Sequence, residues 1–267
     1  RIPSAPDADF FSVAQSLPKA SYEGHVASVS GLIVETRPHK NLAFTVALVQ
    51  RRLRIPILLL HGKLNREFVS GSKRLQKLVA AGKLITRELP VNEFTRSQYN
   101  SLFLSREFWE STIPSERILV FQTDATLCSL SPHKIRRFSA YDYIGSFRRN
   151  PRPIGASVNG GNGGLSLRSR AAMLAALDHG FPEMWPGGED DYFGSHVELI
   201  GKRVGDVESQ KKFSSQHVFE RLSFGVHNPG GIGRVKFLLL LVYCPSAIRC
   251  HRGSLLGRRK NVLREKA

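Results

Sequence analysis

Four short segments hold the residues able to do chemistry. Ile118 to Phe121 is an apolar run that ends, past Gln122 and Thr123, in Asp124. A buried strand that delivers a carboxylate to its exposed end is how an α/β enzyme presents a metal ligand or a catalytic acid. An aspartate capping a turn is the plainer alternative. Asn159 to Leu167 reads NGGNGGLSL. There Gly160, Gly161, Gly163 and Gly164 remove side chains and permit positive φ, so backbone can approach a ligand closely. The stretch reads as a positioned loop, with a flexible turn as the alternative, and its spacing is not that of a dinucleotide fingerprint. Arg168 and Arg170 beyond it are either phosphate contacts or surface arginines. Gly187-Gly188-Glu189-Asp190-Asp191 sets three consecutive carboxylates at a helix start. The positive end of the helix dipole favours them there. Three exceed what a cap needs, and their crowding raises the proton affinity of some, which suits a general base. Ser223 to Asn228 (SFGVHN) carries His227. A lone histidine is more often structural than a ligand, and His61 is a weaker candidate.

The elements that must position these residues alternate. Val26–Val34 reads as a strand. Leu42, Phe44, Val46, Val49 and Leu53 recur at helical spacing behind Pro38. Ile55–Leu60 is a buried strand ending at His61. Leu75, Leu78 and Val79 mark a helix that Gly82 stops, Leu84–Leu89 is a third strand, and Tyr99 to Phe108 is a third helix. Arg117–Gln122 is the next strand. This pattern predicts βα units and a parallel sheet buried on both faces, with ligands beyond the carboxyl ends of its strands. Further on, Tyr141–Phe147 reads as a strand, Ser169–Asp178 as a helix stopped by Gly180, and Glu189–Ile200 as a helix. Phe237–Cys244 is a buried strand or a short helix. The expectation is an α/β fold with one mixed sheet, parallel through its first half, and Asp124, His227 and the glycine stretch converging at its carboxyl ends.

With 267 residues, 41% of them hydrophobic, the chain can bury a large core, and no Pro/Ser/Gly-rich linker divides its middle. It divides instead into an N-terminal arm (1–22), one domain (23–229) and a basic C-terminal extension (230–267). No stretch approaches the ~20 apolar residues of a membrane span. Cys128, Cys244 and Cys250 lack metal-ligand spacing, and an odd number gives no complete disulfide framework, which fits a reducing compartment slightly better. The net charge of +17 raises nucleic acid or an anionic surface as a partner. From Arg234 to Ala267 there are nine Lys/Arg and one acid, Glu265, so about half of the excess sits in that end. Its cations lie among Gly, Ser and Leu rather than aromatics, which argues against single-strand recognition.

Taken in order, ILVFQTD, Asp142 to Phe147 (DYIGSF), GGNGGLSLRSR, GGEDD and SFGVHN resemble a domain-of-unknown-function family grouped with GT-A glycosyltransferases. Trp185 to Asp191 (WPGGEDD) is also similar to the WGGEDD of animal β-galactosyltransferases. The likeness runs from about Val26 to Asn228. It implies a GT-A-like single domain, Rossmann-like, with a mostly parallel sheet and helices on both faces. It implies transfer of a sugar from a nucleotide-diphosphate donor, UDP-sugar favoured, to an acceptor hydroxyl of a glycan, protein or small molecule, by an inverting course. On that resemblance Asp124 corresponds to the last residue of an Asp-x-Asp element whose first acid is here Gln122, and His227 to a metal-binding histidine, so that Mn²⁺ or Mg²⁺ is the implied cofactor. Asp190 corresponds to the general base and Glu189 to a residue that binds the acceptor or orients the base. Gly160, Gly161, Gly163 and Gly164 would line the donor pocket, with Glu35-Thr36-Arg37 at the nucleotide base. A catalytically inactive relative and a basic nucleic-acid-binding protein are the alternatives. Residence follows the missing start: secretory pathway if an anchor precedes Arg1, otherwise cytoplasmic.

Overall fold

The computed structural model describes Leu17, residues 28–148, Ser157 and residues 159–250. All but one residue of the arm at 1–22, and residues 251–267 of the C-terminal extension, lie outside the described residues.

Four apolar strands, β1 (Val29–Glu35), β2 (Ile57–His61), β3 (Leu84–Glu88) and β4 (Arg117–Phe121), pair in parallel in the order 3-2-1-4. Two more extend the same sheet beyond β4. β7 (Asn162–Ser169) runs antiparallel to β4, and β6 (Tyr143–Ser146) runs antiparallel to β7. Period-two alternation divides their side chains between two cores. Leu32, Val34, Leu58, Leu60, Ile118 and Val120 face one layer of helices: α4 (Arg96–Phe103), α5 (Arg106–Ser111), α6 (Arg170–His179) and α7 (Glu189–Leu199). Ile33, Ile57, Leu59, Leu119 and Phe121 face the other: α1 (Leu42–Leu53), α2 (Arg66–Gly71), α3 (Lys73–Ala80) and α8 (Val207–Phe213). The expected α/β architecture, with helices on both faces, is therefore present.

The structure differs from the expectation in three places and decides between two readings in a fourth. The third helix is two, because Ser105 caps a new start by accepting from Phe108 N. The glycine stretch is not all loop, since Asn162–Ser169 is a sheet strand. A second small sheet stands beside the main one: β5 (Ala125–Leu127) pairs antiparallel with β9 (Gly225–His227), which pairs with β8 (Ser214–Ser215). The C-terminal apolar run is α9 (Arg234–Tyr243), and of its residues only Leu240 is fully buried. The cysteine expectation is also corrected. Cys128 and Cys244 form a disulfide across 116 residues, tying the end of α9 to β5, and Cys250 is free and buried.

Candidate functional site

Strand order reverses between β1 and β4, and ligands in open α/β sheets bind at such a switch point. A cavity of about 1050 Å³ opens there. Its walls come from the chain after β1 (Glu35 to Lys40), the chain after β4 (Gln122 to Asp124), the start of β7 (Asn162 to Gly164), the start of α7 (Gly188 to Asp190), α4, and the end of β9 (His227, Asn228).

Local pairing explains the convergence. The β5–β9 ladder sets Ala125 opposite His227, and Asn228 N donates to Asp124 O at 3.0 Å. His227 Nε2 thereby lies 3.4 Å from Asp124 Oδ1. Burial opposes ionisation of Asp124, yet the charge and hydrogen bond of His227 hold its carboxyl below the usual range. A carboxylate oxygen and an imidazole nitrogen on one cavity wall fit two ligands of a shared Mn²⁺ or Mg²⁺. Among the described residues no group of three or more His, Cys, Asp or Glu is gathered for a metal, so other ligands would be substrate oxygens or water. His227 Nδ1 is buried without a hydrogen-bond partner among them, so these residues do not supply the outer partner that usually orients a metal-binding imidazole.

Two glycines make this approach possible. Gln122 N donates to Gly164 O at 2.9 Å, which brings the start of β7 to the carboxyl end of β4. A Cβ on Gly164 would collide with the His227 ring and meet Gln122 Oε1 at 2.8 Å. A Cβ on Gly163 would meet Glu189 Oε1 at 2.5 Å and Arg168 Nη2 at 2.6 Å. Gly160 and Gly161 adopt φ of 90° and 89° and pack against Tyr143 and Gly145; they do not line the cavity. We expect Gly164→Ala to cost roughly 1–3 kcal/mol of overpacking and to push His227 off Asp124. Denaturant midpoints, read beside divalent-ion-dependent nucleotide affinity, check this. Wild-type values for both would mean that His227 has room to move.

The three acids at the start of α7 have three different environments. Glu189 is gripped through both oxygens: Arg168 Nη1 and Nη2 donate to them at 2.6 and 3.0 Å. Burial pushes the Glu189 carboxyl up, and the Arg168 guanidinium opposes that shift. Asp191 is paired with Arg148. Asp190 faces the cavity. Its Oδ2 accepts from Asn162 Nδ2 at 3.0 Å and Gly163 N at 3.2 Å and lies 3.5 Å from Arg148, while among the described residues its Oδ1 accepts from Asp191 N alone. Asp190 is therefore the cavity-lining acid of the three that no guanidinium grips through both oxygens, and its Oδ1 keeps a lone pair beyond the one given to Asp191 N.

The remaining sequence candidates fall as follows. Arg37 lines the cavity, but its Nε donates to Glu35 Oε1 at 3.0 Å, and Thr123 Oγ1 donates to the other Glu35 oxygen. Gln122 lines it too and donates through Nε2 to Tyr99 OH. His61 bonds Gly62 O outside the cavity. Neither Arg168, which is wholly buried, nor Arg170, whose Nε donates to Trp109 O, is placed to meet phosphate. Sequence reasoning missed Arg148, Tyr99, Lys40 and Arg96. For Arg148 the signal was available, as a cation one residue past the DYIGSF strand facing an acidic cluster.

A model of the family described as "Protein of unknown function (DUF5672)" matches residues 83–227. No curated protein matches the chain. Two glycosyltransferases are among the solved structures similar to it. One is the mannosyltransferase PcManGT from Pyrobaculum calidifontis in complex with GDP-Man and Mn²⁺, at 14% identity and TM-score 0.44, covering 74% of this chain and 62% of that one. The other is the apo WbbM bifunctional glycosyltransferase, at 10% identity and TM-score 0.45, covering 88% and 53%. The chain thus spans less than two thirds of the length of either.

Proposed function

We propose that this chain, which belongs to the DUF5672 family, is a glycosyltransferase that moves a sugar from a nucleotide-diphosphate donor to an acceptor hydroxyl with inversion. The observation that carries the reading is that one cavity at the switch point holds a carboxylate–imidazole pair and, across two glycines, a helix-start carboxylate.

In this mechanism Asp124 and His227 would hold a divalent cation, whose charge would neutralise the departing diphosphate. The exposed Lys40 and Arg96 on the cavity rim add positive potential. Gly163 and Gly164 let the Arg168–Glu189 pair and the His227 ring close onto β7 at the edge of the cavity that would take the sugar. Asp190 Oδ1 takes the proton of the acceptor hydroxyl as that oxygen attacks the anomeric carbon. The new glycosidic C–O bond forms, the anomeric C–O bond to phosphate breaks, and its electron pair leaves on the diphosphate. Glu189, locked to Arg168, cannot serve as the base and instead fixes the start of α7, which keeps Asp190 over β7.

Calorimetric titration of UDP, with and without Mn²⁺, tests the reading on wild type and Asp124→Ala. Asp124 keeps 30% of its side chain exposed at the cavity, so its loss should leave the fold intact. The ion-dependent part of the affinity should disappear in the variant. Equal affinity for both proteins in the presence of metal would make Asp124 structural and sink the donor site. Gln122, in place of an acid and bonded to Tyr99, favours a second reading, an inactive relative that binds nucleotide without transfer. It predicts normal titration and no release of UDP from any donor sugar.

A further inference from the structure

The surface of α9 fits no role in the cavity. Val235, Leu238, Leu239 and Val242 are 73%, 64%, 49% and 63% exposed. Their spacing of three, four and seven residues places them on one face, which is thus an apolar stripe turned to solvent. The opposite face holds the helix down: Leu240 and the chain to Ala247 pack on Val226 and Ile232, and Cys244 is bonded to Cys128. The charges are one-sided too. Between residues 221 and 264 there are nine Lys/Arg and no Asp or Glu. Two of them, Arg234 and Lys236, sit exposed in the first turn of α9, where they oppose the positive end of the dipole, and no acid or side-chain cap relieves it. Two cations at the wrong end of a helix, beside an apolar stripe, are a cost to the isolated protein that a negatively charged, partly apolar surface would reverse.

We propose that α9 is a docking face for an anionic lipid bilayer, lying in the interface with Val235, Leu238, Leu239 and Val242 inserted and Arg234 and Lys236 on the headgroups. At ten residues the helix is about 15 Å long, half of what a bilayer core needs, and no described helix is long and apolar enough to cross one. A short apolar helix held to the protein by its other face and flanked by cations would lie in the bilayer surface rather than span it. The site is joined to it mechanically, because Val226, which packs under α9, precedes His227 on β9. The inference does not depend on the transferase reading, and its test uses no turnover.

The full chain is sedimented with vesicles of phosphatidylcholine alone and of phosphatidylcholine mixed with phosphatidylserine. Binding should favour the anionic vesicles by about tenfold or more and weaken as salt screens the headgroups. Arg234→Gln with Lys236→Gln should lower it by roughly fivefold per cation removed. Replacing Val235, Leu238, Leu239 and Val242 by Gln should abolish it while nucleotide titration stays as in wild type. As a second readout that leaves the stripe apolar, Leu239→Trp should shift its emission to the blue on anionic vesicles and be quenched by brominated lipid tails. Unquenched emission, or undiminished sedimentation of the Gln-stripe variant, overturns the proposal. So does a dimer seen by light scattering that the stripe variant loses, which would assign the face to a second copy. Oligonucleotide binding without vesicle binding overturns it in favour of nucleic acid.

Discussion

Asp190→Asn should lower sugar transfer per folded molecule by about 10²–10⁴-fold, the usual worth of a general base, while UDP still binds. The size follows from how the carboxylate is held. A carboxylate offers about four lone-pair sites. Those of Oδ2 are taken by Asn162 Nδ2 and Gly163 N, with Arg148 nearby, and among the described residues Oδ1 accepts from Asp191 N alone. The remaining capacity on Oδ1 is what an incoming hydroxyl would use. An amide of the same size can keep its oxygen toward Gly163 N, but its NH₂ then faces Asp191 N, donor against donor. The substitution therefore also costs stability, of order 1–3 kcal/mol for a mispaired buried group. Turnover must be divided by the folded fraction, measured on the same sample. If Asp190 only organises the first turn of α7, stability falls but turnover per folded molecule stays near wild type, and the inverting mechanism loses its base.

The parts legible in sequence were those with a repeating signal. Runs such as Ile57–His61 and Arg117–Phe121 are apolar on both faces, as central parallel strands must be, and Asp124 was readable as the residue a strand end delivers. Asn162–Ser169 was not legible as a strand. Its leading glycines carry no side-chain period and weaken strands, and the alternation over Leu165–Arg168 is too short to mark one alone; it is pairing with β4 on one side and β6 on the other that makes it extended. The Cys128–Cys244 bond joins residues 116 apart, beyond any local pattern. Phe237–Cys244 was ambiguous because a short continuous apolar run serves strand and helix equally. Arg168 was the instructive miss. A charged residue beside glycines reads as a phosphate contact, yet alternation along Leu165-Ser166-Leu167-Arg168 already sets Arg168 on the face opposite the two leucines, and that face is buried as well.

Breaking the Arg168–Glu189 pair should be the most destabilising single change in the site. Arg168 is 0% exposed and its guanidinium carbon lies 5.1–5.7 Å from the ring centroids of Tyr143, Phe103, Trp109 and Phe193. Its charge is balanced by the bidentate contact with Glu189, and Nε donates to Ser166 Oγ. Arg168→Met fills much of the same volume but strands the Glu189 carboxylate in an apolar cage, so we expect a loss of about 3–5 kcal/mol, the usual cost of orphaning one member of a buried pair. Arg168→Lys should rescue little, since a point charge cannot match a two-oxygen fork. Replacing both partners, Arg168→Met with Glu189→Met, removes the stranded charge and should recover most of the loss, because apolar substitutes for a buried pair are often neutral. Denaturant unfolding of wild type, both single variants and the double variant closes the cycle, and the coupling between the sites should be large. Additive losses would show that the aromatic cage, not the charge pair, holds α7 in place. The double variant then separates stability from placement. If Glu189 serves only to fix the helix start, the refolded double variant binds UDP as wild type does and transfers sugar more slowly, because Asp190 is no longer held over Gly163.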